Sequence, residues 1–438
     1  MQRAFASSTL ALRLLSFIDP MRSTSAFLTL LATLTLSTAA NAARPYVTLV
    51  DDGTVATNKL QTLSDLKAIE KKILALYGET GAPLPEVISV WSTFDIGGSP
   101  YGTIYDPIGA DVKGIGLEDA YPPEGIKKSS KPPLAAMLLH NNVLELKQRA
   151  NLQGAPLEGF AEYLFLLELS HRFGPALRVP APNPGALIGF DFHWSFWMDA
   201  GGSPSGGNVW KDNGDGTFTV EAQSPKALKF SMIDLYIMGL AAKEEVPPFG
   251  VLESVTPPTG ITDPLWGGPY AAHSFPWFDA SKPFTVTATR RSITIDDVIA
   301  ANGTRDPAAD AAPKTWTVGF VLLVGPNDDA TQVSTAQTTF DPLANNFASA
   351  FNTATQGRGT LDVVTEENTQ GTGGAGGMGG TGGSGGSTSS SASSSSGGGE
   401  SSEGDCGCAV PGTSRGEGGA IAVAIAALAA ARRRKRVG

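Results

Sequence analysis

An α+β fold is predicted by three features of the chain. A helical pattern over 64–78 is followed by a strand-like run at Val87–Phe94. A long apolar helical stretch, Leu157–Phe173, lies further on. Downstream come a hairpin signal at Asp212–Gly216, a buried-strand pattern at Trp316–Val324 and a helix face at Leu343, Phe347 and Phe351. No internal repeat accompanies them. The chain has 438 residues, enough for one large domain or two ordinary ones, and 41% are hydrophobic, enough for a sizeable core.

Composition excludes several functions. With 42 acidic and 32 basic side chains the net charge is −10, which argues against nucleic acid as a partner, since phosphate binding needs clustered Lys and Arg. Both cysteines, Cys406 and Cys408, lie near the C-terminus. The body therefore has no disulfide, no thiolate zinc site and no cysteine nucleophile. Any imidazole chemistry must use His140, His171, His193 or His273, the four histidines of the chain. Neither a G-x-x-x-x-G-K-[ST] phosphate loop nor a G-x-S-x-G nucleophile elbow occurs.

In chain order, residues 1–42 form a signal region. Arg22 is a short positive start, Ala26–Leu36 an apolar core and Ala40-Asn41-Ala42 an A-x-A cleavage site, so the signal peptide proper spans 21–42. Met21 is the better-placed start, with residues 1–20 as upstream sequence and Met1 as the other choice. Residues 43–135 are expected to form a small α/β region. Ser64 reads as an N-cap, Leu66, Ile69, Ile73 and Leu76 as one helix face, and Gly78 as the residue closing the helix. Residues 95–132, rich in Gly, Pro and Asp, read as loops with short strands.

Residues 136–366 carry the chemistry-bearing segments. Glu168 and His171 sit at i, i+3 on the apolar helix, where a buried carboxylate and imidazole need partners or a metal. Asn213-Gly214 and Asp215-Gly216 signal a hairpin turn; the alternative, a calcium loop, lacks a Glu at its twelfth position. Residues 367–404, largely Gly and Ser, read as a disordered tether. Residues 405–438 hold the two cysteines, a short apolar stretch at 418–431 and the cluster Arg432-Arg433-Arg434-Lys435-Arg436. The apolar stretch falls short of the roughly 20 residues of a stable span, and the basic cluster would hold this end in the cytoplasm.

That order of Gly-rich linker, cysteine motif, apolar segment and Arg cluster resembles the MYXO-CTERM sorting tag of myxobacterial surface proteins. The resemblance implies processing by a myxosortase-type protease, with Cys406 or Cys408 as the processing or lipidation point. It further implies export, membrane attachment through the tag and display at the cell surface.

A second resemblance starts at Leu167-Glu168-Leu169-Ser170-His171-Arg172-Phe173-Gly174, which is similar to the zincin motif H-E-x-x-H followed by x-x-G. His193-Trp194-Ser195, a Gly-rich run over 201–207 and Asp234-Leu235-Tyr236-Ile237-Met238-Gly239-Leu240 follow in order. The series resembles a family of secreted, myxosortase-dependent bacterial metalloproteases. It implies a zincin-like domain with zinc as cofactor and a peptide or protein as substrate or ligand. Glu168 would be the catalytic base, His171 the second metal ligand, His193 a further metal ligand, and Met238-Gly239 a turn packed beneath the metal.

Two positions depart from the pattern. Leu167 stands where the first zinc His belongs and cannot bind a metal. Leu177 stands where a metzincin places its third His. A catalytic zinc normally takes three protein ligands and a water. Three readings follow: a pseudopeptidase that keeps the fold and binds peptide or protein, an active zinc endopeptidase using a substitute ligand, and a surface structural or adhesion protein.

Overall fold

A computed structural model of the chain describes residues 44–57, 59–60, 63–97, 103–108, 112–117, 133–190, 192–263 and 268–365. The expected signal peptide, tether and sorting tag, Cys406 and Cys408 included, lie outside the described residues. Helices and strands mix as an α+β fold, built on one central sheet and one small barrel.

The chain enters through β1 (Val47–Val50), a single helical turn α1 (Thr54–Thr57) and helix α2 (Leu63–Glu79). Leu66, Ile69, Ile73 and Tyr77 form the buried face of α2. Tyr77 completes the stripe in place of Leu76, and the helix runs one residue beyond Gly78. The left-handed residue that follows is Gly81, at φ 73°, so Gly81 does what the sequence assigned to Gly78. Next come β2 (Val87–Ser92), β3 (Ile104–Pro107) and β4 (Ala136–Asn142), then helix α3 (Leu146–Leu152) and the apolar helix α4 (Leu157–Ser170).

The central sheet is completed from the far end of the chain. Strand β5 (Ile188–Phe190), β6 (His193–Asp199), β7 (Gly206–Asp212) and β8 (Thr217–Glu221) belong elsewhere, as do helix α5 (Met232–Met238), β9 (Phe249–Thr256), β10 (Thr285–Ile293) and helix α6 (Ile295–Asn302). Only then does β11 (Thr315–Val324) pair in parallel with both β1 and β2. After helix α7 (Ala330–Ala354), β12 (Thr360–Val363) pairs with the first half of β11, while β1 pairs with its second half. Strand β4 adds to β2 in parallel and β3 closes the edge antiparallel. The boundary expected at residue 135 thus falls inside one sheet, because β2 on one side of it pairs with β4 on the other.

Strands β2 and β11 are buried on both faces, which is why they read as continuous apolar runs. Helix α2 covers one face, against Ile88, Val90, Met137, Leu139, Val321 and Leu323. Its approach is close: a Cβ on Gly319 would lie 2.8 Å from Tyr77 Oη. Helices α4 and α7 cover the other face. There Phe347 of α7 stacks on Phe165 of α4 at 4.8 Å and on Trp91 of β2 at 5.3 Å, and meets Phe320 of β11 at 5.4 Å. Asp329 caps α7 by accepting from the Gln332 amide.

The second sheet closes on itself in the order β6-β7-β8-β10-β9-β6, with β5 appended to β6. Its interior is aromatic: Phe196, Trp210, Tyr270, Trp277 and Phe284 fill a core separate from that of the large sheet. At the β7–β8 hairpin Asp212 accepts from the Gly214 amide, and Asp215 accepts from the Thr217 amide and hydroxyl. Gly214 and Gly216 both take positive φ. Side-chain oxygens that a calcium loop would turn toward an ion here hold the turn itself.

Removing the ring that joins two helices and two strands will show how much the large core depends on it. Phe347→Ala is expected to destabilise the chain by about 3–5 kcal/mol in denaturant unfolding, since the rigid sheet beneath cannot collapse into the void.

Candidate functional site

The last turn of α4 places the motif. Its capping residue, His171, keeps helical backbone angles, φ −61° and ψ −19°, so the helical spacing extends through it. Gly174 then takes φ 118°, a conformation that suits glycine, and a Cβ there would meet the Ala176 amide at 2.9 Å. Ser170 donates to the Leu167 carbonyl at 2.6 Å, so the hydroxyl is satisfied within the helix.

Glu168, His171 and His193 come together. His171 Nε2 lies 4.0 Å from Glu168 Oε2, and the His171 and His193 rings meet edge-on at 4.7 Å between centroids. Tyr105 of the edge strand β3 packs edge-on against His171 at 5.9 Å, and Phe192 lies at 6.3 Å. Phe275 packs edge-on against His193 at 5.4 Å. The other two positions of the motif point to packing. Leu167 and Leu177 are both fully enclosed in the main core.

Burial sets the charge of the site. Glu168 is 4% exposed, and desolvation pushes its carboxyl up to about 7, against a hydrogen bond from Thr103 that lowers it. The same burial drives His171 well below the usual imidazole range. His193 beside it lowers it further, and backbone groups of Gly174 and Phe192 oppose both. At neutral pH the site therefore holds a carboxyl close to its midpoint beside a neutral imidazole. A carboxyl tuned to that range suits proton transfer near pH 7. Among the described residues no group of three His, Cys, Asp or Glu is arranged to hold a metal ion.

His140 lies elsewhere. It is fully buried and stacked on Trp91 at 4.2 Å, with neither ring nitrogen hydrogen-bonded among the described residues. Burial first, and Arg149 second, keep it neutral. His273 is exposed, as its loop setting suggests.

The carboxylate that the sequence passed over is Asp234. It is buried on α5, accepts from Trp194 Nε1 at 2.7 Å and from the Ser231 amide at 2.8 Å, and closes a capping box with Ser231. Ser203 also bonds to it. One side chain thus ties together the His193-Trp194-Ser195 strand, the Gly-rich loop and the Met238-Gly239 helix. The signal was present in the spacing Ser231-x-x-Asp234, but its partner Trp194 is 40 residues away.

At the other end of α5, Gly239 takes a left-handed turn at φ 77°. The carbonyls left over by the helix are met by cations: Arg305 on Ile237, Lys314 on Gly239 and Arg358 on Leu240. Met238 is buried in the main core. Ile237 lies 3.6 Å from where a Cβ of Gly174 would stand, which seats α5 against the turn that follows His171.

No family model, no characterised protein and no solved structure matches the chain.

The buried carboxyl makes a pH prediction. Its folded pKa lies above its ordinary value of 4.5, so the stability linked to its proton is complete below about pH 4.5 and is lost as pH rises through about 7. Glu168→Gln removes that loss. The variant should match the wild type near pH 4 and exceed it by roughly 3 kcal/mol at pH 8 in denaturant unfolding.

Proposed function

We propose that this chain is an exported, surface-anchored protein of zincin-like build whose metal chemistry has been lost and whose remaining site region binds peptide or protein. The observation that carries the reading is Leu167. It occupies the place of the first zinc imidazole, and its side chain is part of the main hydrophobic core, 1% exposed. The donor set left by that replacement is two imidazoles, His171 and His193, beside a carboxyl that burial favours in its neutral form. This set does not fit a catalytic zinc, which needs three protein ligands and an open position.

The zincin-like build is supported by the position of Glu168 and His171 at the end of a buried helix lying on the sheet, with Gly174 in a glycine conformation after them. Export and surface display rest on the signal peptide and the terminal tag. Among the described residues no helix is long and apolar enough to cross a membrane.

A second reading, an active zinc endopeptidase with a substitute ligand, is favoured by one observation: His171 and His193 have come within van der Waals reach although 21 residues separate them. The two readings part on metal content. Full-length protein is expected to carry no stoichiometric zinc by mass spectrometry after dialysis against a zinc buffer, and Leu167→His to acquire it. Zinc at one equivalent in the wild type would overturn the loss of the metal site, and chelator-sensitive peptide cleavage by that protein would then establish the endopeptidase reading. Zinc in neither protein would remove the zincin assignment of this helix.

A further inference from the structure

The edge strand β3 meets different partners on its two faces. Tyr105 packs against the main core and edge-on against His171, and Thr103, just before the strand, hydrogen-bonds to Glu168. Ile104 and Asp106 alternate to the other face, where Ile104 packs into the cluster that α2 covers. One short strand thus touches Glu168 and His171 on one side and faces α2 on the other. It lies at the end of the sheet and pairs with β4.

Asp106 is 2% exposed, and among the described residues no hydrogen-bond donor reaches its Oδ2. Its neighbour is a second carboxyl, because the side chain of Glu70 on α2 hydrogen-bonds to it. Two carboxyl groups at that range in a buried contact do not both ionise, so the bond needs a proton between them. Burial first, then the Glu70 charge, push the Asp106 carboxyl up to about 7; Lys67 opposes them and the hydrogen bond adds to them. Lys67 is a weak counter-ion, 3.8 Å from Glu70 with its side chain 68% exposed. Opposite Asp106 on β4 stands Met137, which carries no charge. On β3 itself the Tyr105 phenol is pushed up by burial first, with Arg172 lowering it and Asp106 raising it.

We infer that Asp106 and Glu70 form a proton latch: with the proton between them they clamp β3 to α2, and its loss frees the strand that carries Thr103 and Tyr105 to the site. Losing the proton replaces a hydrogen bond by two like charges out of water. The Asp106 carboxyl is raised above its ordinary value of 3.8. The latch is therefore complete below about pH 3.8 and is released as pH rises through about 7. It acts on a wall of the site and does not depend on what the site binds.

Hydrogen exchange of the full-length chain, read by mass spectrometry and corrected for the intrinsic rate at each pH, tests it near pH 5 and near pH 8. The chain carries Glu168→Gln, which removes the other raised carboxyl that touches this strand. Protection over 103–107 is expected to fall about tenfold or more between the two pH values. Near pH 8 it should lie below the protection of β11. Adding Asp106→Asn should abolish the fall, since the amide can donate to Glu70 without titrating. Adding Glu70→Gln, at a partly exposed position, should shrink it and serves as the second variant if Asp106→Asn folds poorly. Protection over 103–107 that stays level with pH would overturn the latch. So would a fall undiminished by both substitutions, or protection equal to that of β11 near pH 8, because the strand would then open only with the whole fold.

Discussion

A carboxyl and an imidazole can meet out of water in this protein, beside a half-buried second imidazole, because α4 is packed on nearly every side. Phe165, Leu164 and Leu167 hold it against the sheet and α7, and twelve successive residues from Gly159 to Ser170 are buried. The aromatic contacts of Phe347 with Phe165, Trp91 and Phe320 fix that helix relative to β2 and β11. Close packing of this kind transmits position. The end of α4, and hence Glu168 and His171, is placed by contacts made within about the two preceding turns.

The chemistry of the site follows from that burial. Desolvation pulls the two titratable groups toward neutrality from opposite directions, raising Glu168 and lowering His171. A bound divalent cation would reverse this logic by favouring the carboxylate and the free imidazole together. Leu167, enclosed in the core, offers no ligand to such an ion. What remains is a low-dielectric polar cluster whose charge is decided by one proton on Glu168.

Around it, long-range polar ties do work that no local pattern announces. Asp234 binds three separate segments through Trp194, Ser203 and Ser231. Arg305, Lys314 and Arg358 answer the carbonyls at the end of α5. These contacts set the barrel and α5 against the turn after His171.

The sequence by itself determined what depends on near neighbours. The apolar run of α4, the strand at Trp316–Val324, the face Leu343–Phe347–Phe351 and the turn at Asn213–Gly216 were all legible, because each is set by spacing within a few residues. The i, i+3 relation of Glu168 and His171 was legible for the same reason. Tertiary structure alone decided the rest. The sheet is threaded by β11 from almost 230 residues beyond β2, so no local pattern could show that the first strands and the last belong together. The barrel's closure, the meeting of His193 with His171, and the reach of Asp234 to Trp194 are likewise contacts between distant segments. Periodicity reports which face of an element is apolar. Which other face it will meet depends on the packing of the whole chain.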